Sequence, residues 1–103
     1  MRIVFSPIAS DQLASQIRYL VGQDAPRAAA RLKHRVLTYI KTTVARFPKA
    51  SRYIAEKDLY ETWIPRTPYV VMYRLDAAAH TITIVALFHA ARDRNGFDPS
   101  RTE

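Results

Sequence analysis

The sequence predicts an α+β domain in which an antiparallel pair of helices packs on a mostly antiparallel four-stranded sheet, in the order β-α-α-β-β-β. Three observations carry this prediction. Two consecutive segments, 69–76 and 81–89, are rich in β-branched and aromatic residues and contain neither Gly nor Pro. Two earlier segments, 7–21 and 25–46, repeat apolar residues at the three- and four-residue spacing of a helix. A short strand at 2–5 precedes both helices.

Capping residues set the expected ends of the two helices. Ser6 is a natural N-cap with Pro7 at the first helical position, and Gly22 is placed to end this helix in a left-handed conformation. Asp24 is expected to start the second helix, with Pro26 in its first turn. The link is short, so the helices should form an antiparallel hairpin. Their apolar stripes are Leu13, Ile17, Leu20 and Val21 in the first helix, and Ala29, Leu32, Val36, Ile40, Val44 and Phe47 in the second.

The remaining strands lie in the second half of the chain. Residues 49–58 are polar and are expected to form an irregular loop before a strand at 59–64. The connection 77–80 lacks the Gly or Asn of a two-residue turn, so a longer hairpin loop is expected. Strict alternation in the last strand places Ile82, Ile84, Ala86 and Phe88 on the core face.

Both faces of the hairpin formed by 69–76 and 81–89 are unusually apolar. In the first strand, Tyr69 and Tyr73 share a face with Val71, while Val70 and Met72 share the opposite face. Such a pattern is expected when helices cover one face of a sheet and a partner covers the other. The hairpin therefore predicts a protein partner as well as a core.

Length and composition describe a small globular protein with an anionic partner. The 103 residues are enough for one domain, 1–103, with a loosely ordered polar tail at 93–103. The chain has no Cys and no apolar run of membrane length, which fits a cytoplasmic protein without a disulfide framework. The net charge is +7, and segment 25–57 holds nine Lys or Arg against a single acid. This asymmetry favours nucleic acid or an acidic protein as partner.

Three segments carry a resemblance to a known family. Pro68–Arg74 (PYVVMYR) and His89–Asp93 (HAARD) stand at the spacing seen near the C-terminus of the RelE/ParE superfamily. Phe47–Arg52 (FPKASR) is similar to the loop that follows the second helix in that superfamily, with Ser51 where the family usually has Gly. The order of elements also agrees, so the chain resembles the RelE/ParE toxins of type II toxin–antitoxin systems over nearly its whole length.

The resemblance implies a toxin that a small, acidic, partly disordered cognate antitoxin keeps silent. It leaves three functions open. ParE-like members poison DNA gyrase, RelE-like members cut mRNA on the ribosome, and a third possibility is a non-toxic member that only forms the antitoxin complex. The strand 59–64 contains no Lys or Arg, whereas nuclease branches carry more cations in the middle strands. Together with the HAARD ending, this favours the ParE-like branch.

Candidate site residues follow from the chemistry that a nuclease member would need. RNA cleavage without a metal requires an acid or base and cations around the phosphate. If the protein cuts RNA, His89 is the candidate acid or base, and Arg52, Arg66 and Arg74 are the candidate phosphate ligands. The candidate partner-binding residues are Tyr69, Tyr73 and Arg92.

Four of these residues also have a structural explanation. Arg74 can pair with Asp76, His89 can bond the backbone where its strand ends, and Tyr69 and Tyr73 can pack in the core. The acids Glu56, Asp58 and Glu61 do not have the spacing of a metal site, so no metal or cofactor is expected.

Overall fold

The structure is a computed structural model that describes residues 1–93. The α+β prediction is confirmed, with the two helices on one side of the sheet. The elements are β1 (Arg2–Phe5), α1 (Pro7–Gly22), α2 (Pro26–Tyr39, continued by a π-helical turn at Ile40–Val44), β2 (Arg52–Ile54), β3 (Leu59–Trp63), β4 (Tyr69–Asp76), β5 (Thr81–His89) and α3 (Ala90–Asp93). The predicted tail begins inside α3, and its part from residue 94 onward lies outside the described residues.

The sheet has five strands rather than the four predicted, in the order β1-β5-β4-β3-β2. The additional strand is β2, which lies in the segment expected to be an irregular loop and pairs antiparallel with β3. Three residues give too short a run for alternation to be visible in the sequence. β1 runs parallel to β5, and the other neighbouring strands are antiparallel, as the mostly antiparallel prediction requires.

The start of α1 agrees with the sequence prediction, whereas the link between α1 and α2 differs from it. The Ser6 hydroxyl accepts a hydrogen bond from the Ala9 N–H at 3.0 Å, so Ser6 is the N-cap of α1. Gly22 is the last residue of α1 and has no positive φ; the left-handed residue of the link is Asp24, with φ 58°. The N-cap of α2 is Ala25, which makes no side-chain cap, so the expectations for Gly22 and Asp24 were wrong.

The helices close one face of the sheet over a large apolar cluster. α2 contributes Leu32, Val36 and Ile40, as its stripe predicted, and α1 contributes Ala9 and Leu13. From the sheet, the cluster includes Tyr69, Val71, Tyr73, Ile82, Ile84 and Leu87. Because this layer fixes the positions of both helices against β4 and β5, it also fixes the clefts at their borders.

A β-bulge in β5 breaks the alternation on which the sequence prediction depended. Met72 pairs with Ala86 while Tyr73 pairs with Ile84, so Val85 is an extra residue on β5. After the bulge Leu87 joins the helix-side cluster, whereas Ala86 and Phe88 lie with Val85 on the opposite face. The predicted core face was therefore correct for Ile82 and Ile84 and wrong for Ala86 and Phe88, because one inserted residue reverses the side-chain order.

α1 supplies hydrogen bonds to the bulged part of β5. The paired residues of β1 and β5 end at Phe5 and Ile84, and from there the side chains of α1 take over. The Ser6 hydroxyl donates to the Val85 carbonyl at 2.9 Å, and the Gln12 side-chain carbonyl accepts from the Leu87 N–H at 2.7 Å. Two buried backbone groups are thereby satisfied where no neighbouring strand reaches them.

Candidate functional site

The structure places a cleft of about 410 Å³ where the end of α1, the face of α2, the β3–β4 loop and the end of β5 meet. We call it the arginine cleft. Three predicted site residues line it: Arg66, Tyr69 and His89. Two further guanidinium groups, from Arg31 and Arg35 of α2, line the same cleft. The rest of its lining is Tyr19, Leu20, Ala28, Leu32, Thr67 and Pro68.

The β3–β4 loop holds Arg66 in an unusual backbone conformation. Its φ is 64°, in the left-handed region that non-glycine residues rarely adopt. The Thr67 hydroxyl fixes the turn, because it donates to the Ile64 carbonyl at 2.8 Å and accepts from the Tyr69 N–H at 3.1 Å. Arg35 donates to the Arg66 carbonyl at 3.2 Å and so ties the loop to α2. Strained residues held by their surroundings often lie at functional sites.

Tyr69 and His89 form the sheet wall of the arginine cleft. They are opposite each other in the β4–β5 register, and their rings meet edge to face with centroids 5.5 Å apart. The Tyr69 hydroxyl donates to the Gln16 side chain of α1 at 2.7 Å. His89 Nδ1 accepts from the Ala91 N–H at 3.2 Å, so the imidazole caps the turn that begins α3. This contact gives His89 the structural function expected at a strand end.

A second cleft of about 290 Å³ continues along α2 from the first. We call it the threonine cleft, because Thr38, Thr42 and Thr43 line it. Arg35 and Arg66 belong to both clefts and stand between them. The other residues of its lining are His34, Tyr39, Ile64 and Pro65.

The other two candidate phosphate ligands lie on the opposite face of the sheet. Arg74 is exposed and, two residues along β4 from Met72, points to the face without helices. Arg52 is directly opposite the buried Glu61 in the β2–β3 register, and Glu61 is in turn opposite Met72 on that face. The structure therefore brings together Arg66 and His89 but separates them from Arg52 and Arg74 by the thickness of the sheet.

Tyr73 is buried at the far end of the helix-side cluster. Its hydroxyl donates to the Pro48 carbonyl at 2.6 Å, and its ring stacks on Tyr60 with centroids 5.4 Å apart. Burial raises the pKa of Tyr73 above its ordinary value of 10.0, and a side-chain hydrogen bond with Ser51 partly opposes this. Tyr73 therefore positions the end of α2 against the sheet. The side chain of Arg92, the remaining predicted binding residue, lies outside the described residues.

Sequence reasoning counted Arg31 and Arg35 among the basic residues of segment 25–57 and did not include them in a site. The signal was present, because the two residues are one helical turn apart and lie beside the apolar stripe. What the sequence lacked was the position of Arg66 across from them. Gln12 and Gln16 had no such signal, since their hydrogen-bond partners are more than 50 residues away.

Among residues 1–93, no group of three or more His, Cys, Asp or Glu side chains could hold a metal ion. Within the same range no helix is both long and apolar enough to cross a membrane.

Comparison with known proteins decides the family. Residues 3–94 match the family model described as the ParE toxin of the type II toxin–antitoxin system parDE. The chain belongs to the ParE toxin family. This confirms the ParE-like branch of the resemblance seen in the sequence.

A solved structure supports the fold of this ParE-family chain. A chain from the chromosomal ParDE TA system of P. aeruginosa superposes with a TM-score of 0.72 and is 18% identical. The match covers 86% of this chain and 95% of the other, so the two share the whole architecture. A search of curated proteins found no match.

Proposed function

We propose that this ParE-family protein is the toxin of a type II toxin–antitoxin module and that it acts in the cytoplasm by binding DNA gyrase. A small, acidic cognate antitoxin holds it inactive. Membership of the ParE family over residues 3–94 supports the module. The ParE-like resemblance supports gyrase as the target, in preference to the ribosome and its mRNA.

The candidate catalytic residues are divided between the two faces of the sheet. This separation is the observation that supports a binding poison in preference to a nuclease. RNA cleavage needs an acid or base and several cations around one phosphate. Arg66 and His89 line the arginine cleft, while Arg52 and Arg74 lie across the sheet from it. Arg52 faces the buried carboxylate of Glu61, a cross-strand neighbour of opposite charge. His89 caps a helical turn. Arg52 and His89 thus have structural contacts where they lie, and Arg74 is exposed on the face of the sheet opposite Arg66.

The antitoxin proposal is supported by the charge and by the apolar surface left exposed. The chain carries a net charge of +7, which attracts and orients an acidic partner. The apolar residues of the helix-free face, such as Met72 and Phe88, are already buried, so they are not the contact surface that the sequence suggested. Trp63, opposite Val70 of that face in the β3–β4 register, is instead 54% exposed. It is a candidate anchor for a segment that folds on binding.

Purified gyrase and plasmid DNA test the proposal directly. The full-length chain should inhibit supercoiling and increase the fraction of cleaved DNA trapped by detergent, and His89→Ala should retain most of this activity. In cells, expression should induce the DNA-damage response before any loss of mRNA. Codon-positioned mRNA cuts that disappear in His89→Ala would instead assign ribosome-dependent cleavage. An expressed, folded protein that affects neither DNA nor mRNA would leave only the antitoxin complex.

A further inference from the structure

The arginine cleft and the threonine cleft lie end to end along α2. They share Arg35 and Arg66, whose hydrogen bond lies between them, and their linings run along the helix from Ala28 to Thr43. At 1.5 Å per helical residue this is about 22 Å. We call the two clefts together the α2 groove. A groove of this length fits an extended polymer rather than one small molecule.

The polar lining of the α2 groove suits a chain of phosphates. Arg31, Arg35 and Arg66 line it, and none of its described lining residues is acidic. The planar guanidinium of arginine can bind two phosphate oxygens at once. Thr38 and Thr43 are exposed in the threonine cleft, where hydroxyl groups can donate to phosphate or sugar oxygens. The cations thus occupy the centre of the groove, and neutral donors extend it.

The arginine cleft also has an aromatic and apolar part. Tyr19 is 52% exposed on its rim, and Leu20 and Leu32 form apolar wall. An exposed aromatic ring beside a basic groove is the arrangement on which bases of single-stranded nucleic acid stack. A volume of about 410 Å³ is within the range of small-ligand pockets, which is enough to admit one nucleotide.

We propose that the α2 groove binds a single strand of nucleic acid, with phosphates on Arg31, Arg35 and Arg66 and one base against the ring of Tyr19. The backbone of Arg66 is held opposite α2 by the hydrogen bond from Arg35 to its carbonyl and by the Thr67 turn, so its side chain starts from a fixed position at the cleft. Because this geometry exists in the free protein, part of the entropic cost of ordering the site is already met before binding. The same chemistry takes DNA or RNA, and the gyrase proposal makes a DNA strand the expected ligand.

Fluorescence anisotropy with the full-length chain from cell-free synthesis tests this assignment. The probes are a labelled mixed-sequence DNA 12-mer, the RNA of the same sequence and the corresponding DNA duplex. We expect the two single strands to bind more tightly than the duplex. With three phosphates neutralised, the logarithm of affinity should fall against the logarithm of salt concentration with a slope of about −2. Tighter binding of the DNA strand than of the RNA strand would identify single-stranded DNA as the ligand, as the gyrase proposal expects.

Matched variants locate the binding surface. Arg66→Gly removes the guanidinium while keeping the left-handed φ of the loop, and it should weaken single-strand binding about tenfold. Arg31→Gln should have a similar effect, whereas Arg27→Gln, the same change on α2 outside the lining, should have a much smaller one. Tyr19→Ala should weaken binding about tenfold and Tyr19→Phe should not, because stacking needs only the ring. Circular dichroism confirms that each variant is folded.

Two results would overturn the assignment. The first is equal loss of affinity in Arg27→Gln and Arg31→Gln, which would mean that the basic surface binds without a groove. The second is displacement of the DNA strand by a polyglutamate peptide of equal length at equal concentration, which would assign the groove to an acidic protein segment. These binding measurements use no gyrase. A protein that binds no single strand could therefore still inhibit supercoiling, and a protein that leaves gyrase active could still bind a single strand, so the two proposals are tested separately.

Discussion

The two faces of the sheet both bury apolar side chains, but they are closed in different ways. On one face, α1 and α2 cover a cluster that includes Val71, Tyr73 and Ile84. On the other, a smaller cluster around Leu59, Met72 and Phe88 has no member from α1 or α2, and Ala90 at the start of α3 packs against it. The helix side ends in clefts lined by arginines, whereas the opposite side is bordered by strand residues such as Arg74. The comparison shows that two equally buried faces can have different borders, because the clefts form where the helix layer meets the sheet.

The largest expected effect is on the free energy of unfolding, when one buried residue from each cluster is replaced by Ala. Ile84→Ala should reduce the free energy of unfolding by about 4 kcal/mol, because the cavity lies between two packed layers that cannot close around it. Leu59→Ala, equally buried, should cost about 2–3 kcal/mol, because the smaller cluster can relax. Urea unfolding followed by circular dichroism measures both. An equal loss in the two variants would show that both faces are equally rigid.

The next effect tests how α1 supports the bulge of β5. Ser6→Ala should cost about 1–3 kcal/mol, since it leaves the Val85 carbonyl without its hydroxyl donor and removes the N-cap of α1. Gln12→Ala should cost a similar amount through the Leu87 N–H. Ser10→Ala, on the exposed side of α1, is the control and should change stability little. If Ser6→Ala behaves like Ser10→Ala, the bulge does not depend on α1.

A smaller effect concerns Tyr73 and pH. Tyr73→Phe should cost about 1 kcal/mol, because it removes the hydrogen bond to the Pro48 carbonyl. Since burial raises the pKa of Tyr73 in the folded protein, the folded state holds this proton more tightly than the unfolded state. The stabilisation of the folded state that comes from this raised pKa is complete below pH 10 and is lost as the pH rises above that value.

Unfolding measured between pH 9 and 11 checks this sign. The parent protein should lose stability more steeply than Tyr73→Phe above about pH 10. Tyr53→Phe is the comparison: the pKa of Tyr53 is also raised, chiefly by its hydrogen bond to Asp58, so this variant should change the profile in the same direction but less, because the side chain lies on the exposed edge strand. A profile unchanged by Tyr73→Phe would contradict the assignment.

The smallest expected effect is on the helix-free face. Arg74 is exposed, so Arg74→Ala should change the free energy of unfolding by less than about 0.5 kcal/mol. If gyrase binds a surface spread over many residues, toxicity of this variant should fall only modestly. Dilution spotting of induced cells beside thermal unfolding measures both quantities. Complete loss of toxicity with a stable fold would make Arg74 part of a compact site and favour cleavage.

The sequence by itself determined the main helices and strands and the family. The ends of β4 and β5 agree with the predicted 69–76 and 81–89, because uninterrupted β-branched runs and a turn between them are local properties. Ser6 capped α1 as expected, since a cap needs only residues three positions apart. The three matching segments identified the family because they keep their spacing along the chain.

Only the tertiary structure decided which side chains share a site. At the bulge, the Val85 carbonyl accepts a hydrogen bond from Ser6, 79 residues away, and no local pattern indicated that Ala86 and Phe88 would change faces. The α2 groove likewise depends on Arg35 and Arg66 meeting from a helix and a loop 31 residues apart. Hydrogen bonds and charge interactions join residues that are close in space, and the packing of helices on the sheet decides which residues those are. The sequence therefore supplied the candidate residues. It could not show which face of the sheet each of them would occupy.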